Sequence, residues 1–559
     1  YSFFMLQFCQ TQTCSNDILY DFLILLLIIF FSKKISYLKI NGVGLLVFFI
    51  VFLKLFLISE NNPLQWPATA NIAISQKILN TQNFNNDLSV IAGLDSPKYI
   101  LSFILSKISH FFGIDIIYTY YLLKIVIIIF IPLFISFSLY RLTKDRKKIL
   151  YIESNILRNF LIIFISVGIF SRLSKLFYNG WVSFLNYNIL YVPTEQSTAL
   201  LLGFCGLFFL IYFRSKVSLI FFTLSTIIHP VIGISIFFIK IILCLDHKII
   251  FKPFLKKELF FFTISVCIPI LLIGFIWNEN IINASKFIEI YIVERHPHHY
   301  LVSYYFNYFS LITLVFILIL LVINFKKNKK LLFFSIIIFF SISLPTLIQF
   351  AFIEIMPIKF FAKLGVNRFG IFTYMLIFIF TVITFQKNII TLMIKFSNLI
   401  IIQSLNKKFT HLNWDKSIYL ILPIFFIFLL YKTLPINYVK INDEVSLSKK
   451  ILSLNSNNDK TIQFSKKIAD QLNITTQIRI LSKTNVFYDA FFPFNENYIL
   501  SWFDRYKKIN SFTDEKDLIC YLKRKKVDFY ITGHDINFKS IYDNNKYQLI
   551  SILDFGCNN

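Results

Sequence analysis

The sequence predicts an α-helical polytopic membrane protein of about 12 spans with a C-terminal α/β extramembrane domain. Three observations lead there. Ile/Leu/Phe-rich blocks recur along the chain and stop at Leu434, after which the composition becomes ordinary. Of the 559 residues, 56% are hydrophobic and 18% aromatic, and the mean hydropathy is +0.66. A soluble chain cannot bury that much apolar surface, whereas a bilayer solvates it. The third observation is where the charge sits. Of the net +26, residues 434–559 supply 18 Lys/Arg against 14 Asp/Glu, a net of +4, so +22 falls in 1–433. Cytoplasmic loops collect Lys and Arg, so the excess reads as topology, not as a nucleic-acid interface.

The apolar blocks place spans at 18–32, 43–58, 118–140, 158–171, 196–213, 217–230, 232–246, 258–276, 309–324, 331–352, 369–385 and 418–433. Several are shorter than the ~20 residues that cross a bilayer as a helix, and 217–246 also reads as one broken helix. Assigned alternately, the loops on one side (33–42, 141–157, 214–216, 247–257, 325–330, 386–416) hold 23 Lys/Arg in 78 residues. Those on the other side (59–117, 172–195, 278–308, 353–368) hold 10 in 130. The positive-inside rule makes the first set cytoplasmic. The expectation is a multi-pass protein of a bacterial inner (plasma) membrane, with domain 1–433 in the bilayer and 434–559 periplasmic. The first apolar run, Ile18–Phe31, leads to Lys33-Lys34 and not to a small-residue cleavage site, so no cleavable signal peptide is expected.

Segment 98–113 is apolar enough to span. Crossing there would leave Arg141, Lys144, Arg146, Lys147 and Lys148 outside, and the segment carries Ser102, Ser106, Lys107, Ser109 and His110. It reads as an amphipathic helix on the outer membrane surface, within outer loop 59–117.

In the tail, Ile478–Leu481 and Val486–Asp489 read as short strands. Asp514–Lys526 reads as a helix with an acidic first turn and a basic end. Val527–Thr532 alternates and runs into Gly533 as a strand would, and Tyr547–Phe555 reads as another strand. The seven cysteines show no zinc spacing; Cys520 and Cys557 share the tail and would bridge in an oxidising compartment, or remain free thiols.

Three constellations carry candidate chemistry. The first is acidic: Glu60 directly after the span ending at Ile58, then Asp87 and Asp95. A carboxylate at that depth takes a proton from an acceptor, or holds a divalent cation against a phosphate; capping a helix exit in water explains Glu60 as simply. The second is Arg295-His296-Pro297-His298-His299, dense for a chain with eight His. Histidine ligates metals and arginine forks onto phosphate, but Pro297 prevents a regular ligand spacing. The third is basic groups at membrane depth: Lys54, Lys124 and Arg368. Charges inside spans suggest function, and lysines there also snorkel to the interface. His229-Pro230, with Gly233 beyond, reads as a helix break.

The order of Glu60, an acidic outer loop, the surface helix and SPKYILSFILSKISHFFGIDIIYTYYLLKIV resembles the start of polytopic glycosyltransferases of the GT-C superfamily. The acidic pair usual after the span in that superfamily is here only Glu60, followed by Asn61-Asn62. The Arg295 segment resembles an Arg-x-Pro-His-His element of bacterial polytopic membrane proteins without an established activity. The GT-C resemblance implies transfer of a sugar from a polyprenyl-phosphate donor to an extracytoplasmic acceptor. It implies Glu60, Asp95 and Asp87 as catalytic candidates. Arg295, His296, His298, His299, Arg368, Lys54 and Lys124 would bind the lipid phosphate. The implied partners are the bilayer and the lipid-linked substrate, with no nucleic acid. A transporter or flippase for a lipid-linked or anionic substrate is the alternative; the lack of an internal repeat and the scarcity of Gly, 14 in the chain, count against it. An O-antigen-polymerase-like enzyme and a membrane protein without catalysis are further readings.

Overall fold

The computed structural model describes residues 68–96, 98–144, 192–213, 217–236, 281–305, 343–364, 443–455, 459–493, 495–534 and 538–557, with isolated positions between 315 and 339. They form a mostly helical structure with one five-stranded mixed sheet.

Helix α1 (Ala68–Leu79) is buried from Ala68 to Gln76. Asp87 starts α2 (Leu88–Leu94) by accepting the Val90 N–H, satisfying a donor that the helix itself leaves open. Helix α3 (Lys98–Phe112) ends at Gly113, whose φ of +63° suits a residue without Cβ. The chain then turns into α4 (Ile116–Lys144), where Asp115 accepts the Ile117 N–H. Helices α5 (Glu195–Phe213) and α6 (Val217–Ile228) pack together, and α5 packs on α4. α6 stops ahead of His229-Pro230, and His229 Nδ1 accepts the Ile232 N–H at 3.4 Å.

The expectation of about 12 membrane-crossing helices, and with it the GT-C-like polytopic fold, is corrected here. Among the described residues no single helix is long and apolar enough to cross a membrane. The apolar stretches are Ile116–Ile127, Glu195–Leu210, Val217–Ile228 and Ser343–Ile355; α4 runs further, but its side chains are described without a break only to Ile127. One pair passes only when joined across an 88° bend, Leu88–Leu94 with Tyr99–Phe112. Of the expected spans among the described residues, 217–230 forms its helix only as far as Ile228, where His229-Pro230 interrupts it. The expected spans 18–32, 43–58, 158–171, 258–276, 369–385 and 418–433 lie outside the described residues, as do most of 232–246 and 309–324.

Further along, α7 (Ala284–Ile288) is capped by Asn283 and widens into a π-helix, Glu289–Arg295. Two single turns follow, α8 (Pro297–Tyr300) and α9 (Val302–Tyr305). A second π-helix, Phe350–Ile355, precedes α10 (Lys359–Leu364).

The tail begins with α11 (Asp443–Leu454) and continues β1 (Thr461–Phe464), α12 (Lys466–Ala469), α13 (Leu472–Ser482), β2 (Asn485–Val486), α14 (Glu496–Ser511), α15 (Glu515–Arg524), β3 (Phe529–Thr532), β4 (Tyr542–Asp543) and β5 (Gln548–Ser551). The sheet order is β2-β1-β3-β5-β4, with β1 parallel to β2 and β3, and β5 antiparallel to β3 and β4. All four residues of β1 and of β3 are buried, as expected of central strands covered on both faces. The α/β reading of the tail agrees with this, except that Ile478–Leu481 is helical within α13 and that, of the strand expected over Val486–Asp489, only Val486 lies in a strand, at the end of β2. The buried residues of α13 pack against α1 and α11, and that packing overrides the β propensity of the local sequence. Cys520 and Cys557 are disulfide-bonded across a Cα separation of 5.6 Å.

Candidate functional site

Three parts of the chain meet on the segment 486–492, which runs from the end of β2 towards α14. From below comes α13, carrying Arg479, with 0% of its surface exposed. Its Nε donates to Asp87 Oδ2 at 2.8 Å, and its Nη2 lies 2.9 Å from Asp489 Oδ2, an ion-pair distance without hydrogen-bond alignment. The guanidinium also lies over the Phe491 ring, 5.3 Å from the centroid. Asp87 additionally accepts Val486 N at 3.0 Å and Val90 N at 3.2 Å. Burial pushes the Asp87 carboxyl above the usual carboxylate range, with Arg479 pulling the other way. Burial alone would lower Arg479, but the two carboxylates outweigh it and hold it above its ordinary value. Arg505 sits close enough to Asp87 to act on it, stacks over Phe487 at 4.3 Å and donates to Phe487 O at 2.7 Å.

The first loop reaches the same wall a second time: Ser89 Oγ donates to Phe491 O at 2.5 Å. The third visitor is segment 281–305. Arg295, at the end of the π-helix, donates through Nη2 to Ala490 O, while its buried Nε has no partner. A π-bulge displaces side chains from the ordinary helical face and is frequent at functional positions. The His296 ring stands edge-on to Tyr291 (5.3 Å) and to Phe492 (5.8 Å), and Tyr291 and Tyr300 share a hydroxyl contact of 2.9 Å. The segment is held down by Glu496 of α14. That carboxylate pairs with Lys359 at 2.5 Å and Lys363 at 2.6 Å, and accepts Ile282 N at 3.2 Å.

The structure therefore brings Asp87, Arg295 and His296 to one wall, with Asp87 wholly engaged in a buried ion pair and Arg295 partly engaged. Asp95 lies apart from them, exposed at the C-terminal end of α2. Lys124 is buried on α4. His298 and His299 lie on α8 by their backbone, and their side chains are outside the described residues, as are Glu60, Lys54 and Arg368 altogether. Among the described residues no group of three His, Cys, Asp or Glu side chains is arranged to hold a metal. Sequence reading missed Arg479, Asp489, Glu496 and Arg505. The only signal was local: Asp489 stands inside the apolar string Val486–Phe494, where a charge demands a partner. Comparison with protein-family models, with curated proteins and with solved structures finds no match to the chain.

Proposed function

We propose that this chain moves a sugar, or a related group, from a polyprenyl-phosphate donor to an acceptor outside the cytoplasm, with Arg295 contacting the donor phosphate. One observation carries the reading: the acidic first loop and the Arg295–His296 turn, far apart in sequence, both dock on segment 486–492. Arg295 keeps an unpartnered Nε there, and a guanidinium with a spare N–H suits a phosphate oxygen. The Cys520–Cys557 bond supports an extracytoplasmic tail, since such bonds persist in oxidising compartments.

A lipid-linked donor requires a lipid-facing surface, and α3 offers one. Its Ser102, Ser106 and Ser109 are buried while Phe111 is 81% and Phe112 63% exposed, with Phe103, Ile104 and Ile108 beside them. In this reading the apolar face of α3 rests on the lipid surface that holds the donor.

The test is transfer from radiolabelled polyprenyl-phosphate monosaccharides by the purified full chain. Arg295→Ala should raise the donor KM roughly 10- to 100-fold, the equivalent of losing a charge-assisted contact of about 1.5–3 kcal/mol. Arg295→Lys should recover only part of it, because an ammonium does not fork. Unchanged donor KM in Arg295→Ala overturns the role of Arg295. Donor binding with no transfer at all favours the transporter or flippase reading instead.

A further inference from the structure

A short stretch, 355–360, leads from the end of the second π-helix into α10. It reads Ile-Met-Pro-Ile-Lys-Phe, so every residue but Lys359 is apolar. Ile355 is 63% and Phe360 57% exposed, and Met356, Pro357 and Ile358 are exposed between them. A lone exposed apolar side chain is ordinary, but a consecutive run of them forms a patch that marks a contact surface.

The base of the stretch is fixed. Phe352 and Phe361 stack at 4.5 Å, and Ile353 and Ala362 are buried in the core shared with the tail. The charges at the stretch turn inward. Glu354, just before it, accepts the N–H groups of Val302 at 2.5 Å and Ser303 at 3.3 Å. Lys359 pairs with Glu496 at 2.5 Å and donates to Ile282 O at 2.7 Å. A lysine beside exposed apolar residues ordinarily extends its ammonium into water; the Lys359 side chain is instead only 13% exposed. The backbone donors are engaged as well. Met356 N donates to Ala351 O at 2.9 Å and Ile358 N to Phe352 O at 3.0 Å, while Pro357 has no N–H to offer. Residues 356–358 thus present three apolar side chains and no free backbone donor.

These features decide between occupants. Protein interfaces carry about one hydrogen bond per 100–200 Å², and 356–358 have no N–H left to give one. Hydrocarbon asks for none, and it tolerates backbone only where the polar groups are met within the chain. An ammonium drawn inward onto a carboxylate suits the same medium.

We propose that 355–360 is a tip that dips into a lipid surface from one side, its apolar side chains meeting acyl chains beneath the headgroups. Such contact needs no helix that crosses the bilayer. The tip shares a lipid surface with the transfer reading, and depends on neither Arg295 nor a sugar donor.

Photocrosslinking of the full chain tests it. p-Benzoylphenylalanine replaces Ile358 or Phe360, or, as the control, Lys449 on the exposed face of α11. All three positions accept the larger ring without disturbing the core. Each protein is reconstituted in vesicles of phosphatidylcholine and phosphatidylglycerol and irradiated, and the adducts are read by mass spectrometry. Lipid adducts at 358 and 360 should exceed those at 449 at least ten-fold. Yields at 358 and 360 no higher than at 449 overturn the tip. Adducts joined to a second polypeptide overturn it too, and make the patch a protein interface. Lipid adducts in a chain that transfers no sugar uphold the tip and remove the transfer reading; transfer without lipid adducts at 358 and 360 does the reverse.

Discussion

At the residue scale the decisive group is Arg479. Two carboxylates from opposite ends of the chain close on it, one of them 392 residues away. Such a cluster is neutral or costly compared with an apolar core, yet removing one partner strands the others in low dielectric. Arg479→Ala should therefore destabilise the chain by about 3–5 kcal/mol, measured by urea denaturation. Arg479→Met in an Asp87→Asn/Asp489→Asn background should recover much of that loss; equal loss in both backgrounds would contradict the ion-pair account. Half of this was legible. Asp87 stood out as an acidic loop residue and its capping role is local, but a single sequence cannot show which arginine neutralises it. Tyrosines make a second residue-scale argument. Burial pushes the hydroxyls of Tyr488, Tyr530 and Tyr547 up, and Tyr530 and Tyr547 also donate to Glu515 and Glu444. An acid with a raised pKa in the fold binds its proton more tightly there than in the unfolded chain. Its contribution is thus complete below the ordinary tyrosine pKa of about 10 and is lost as pH rises beyond it. Unfolding free energy should be flat from about pH 7 to 9 in these groups and fall above about 10, by up to about 1.4 kcal/mol per pH unit per tyrosine. Tyr530→Phe should reduce that slope. An unchanged slope would mean that Tyr530 ionises in the folded state as readily as in the unfolded one.

At the element scale α3 shows what periodicity can and cannot say. The sequence marks 98–113 as amphipathic, and the helix forms over Lys98–Phe112. It does not say which face turns inward. Ser102 and Ser106 pack against α1 by donating to its carbonyls, and small residues let the two helices approach closely. The Phe and Ile side chains are left outside. If that face meets lipid, Phe111→Glu/Phe112→Glu should lower co-flotation of the full chain with phosphatidylglycerol vesicles at least ten-fold while leaving tail stability unchanged. The expected direction follows from apolar burial of about 25 cal/mol per Å² and from the cost of placing carboxylates at an apolar boundary. Flotation equal to wild type would remove α3 from the lipid contact. The helix α13 was missed for the opposite reason. Its string Ile474-Thr475-Thr476-Gln477-Ile478 is rich in β-branched residues, and only its packing against α1 and α11 makes it helical.

At the scale of the whole molecule, the tail does not stand apart from the chain before it. Ile480 and Phe491 join the core of α1, α3 and α4, and Tyr291, Tyr300 and Ile353 join the core of the tail. Apolar runs and charge asymmetry could not reveal this, because both describe segments one at a time. The disulfide is the covalent counterpart of that packing. It ties α15 to the end of the described chain beyond β5, closing a loop of 37 residues that includes β3, β4 and β5. Within the loop the sheet already holds β3 to β5, so the bond acts chiefly by limiting the unfolded chain, not by adding native contacts. Loop-closure entropy for that length amounts to about 3–4 kcal/mol. Cys520→Ser/Cys557→Ser should lower the urea midpoint of the chain without altering its far-ultraviolet circular dichroism, and reduction of the wild type by dithiothreitol should give the same shift. A midpoint insensitive to reductant would mean that the two thiols are not joined in the folded protein, and the argument for an oxidising compartment around the tail would go with it.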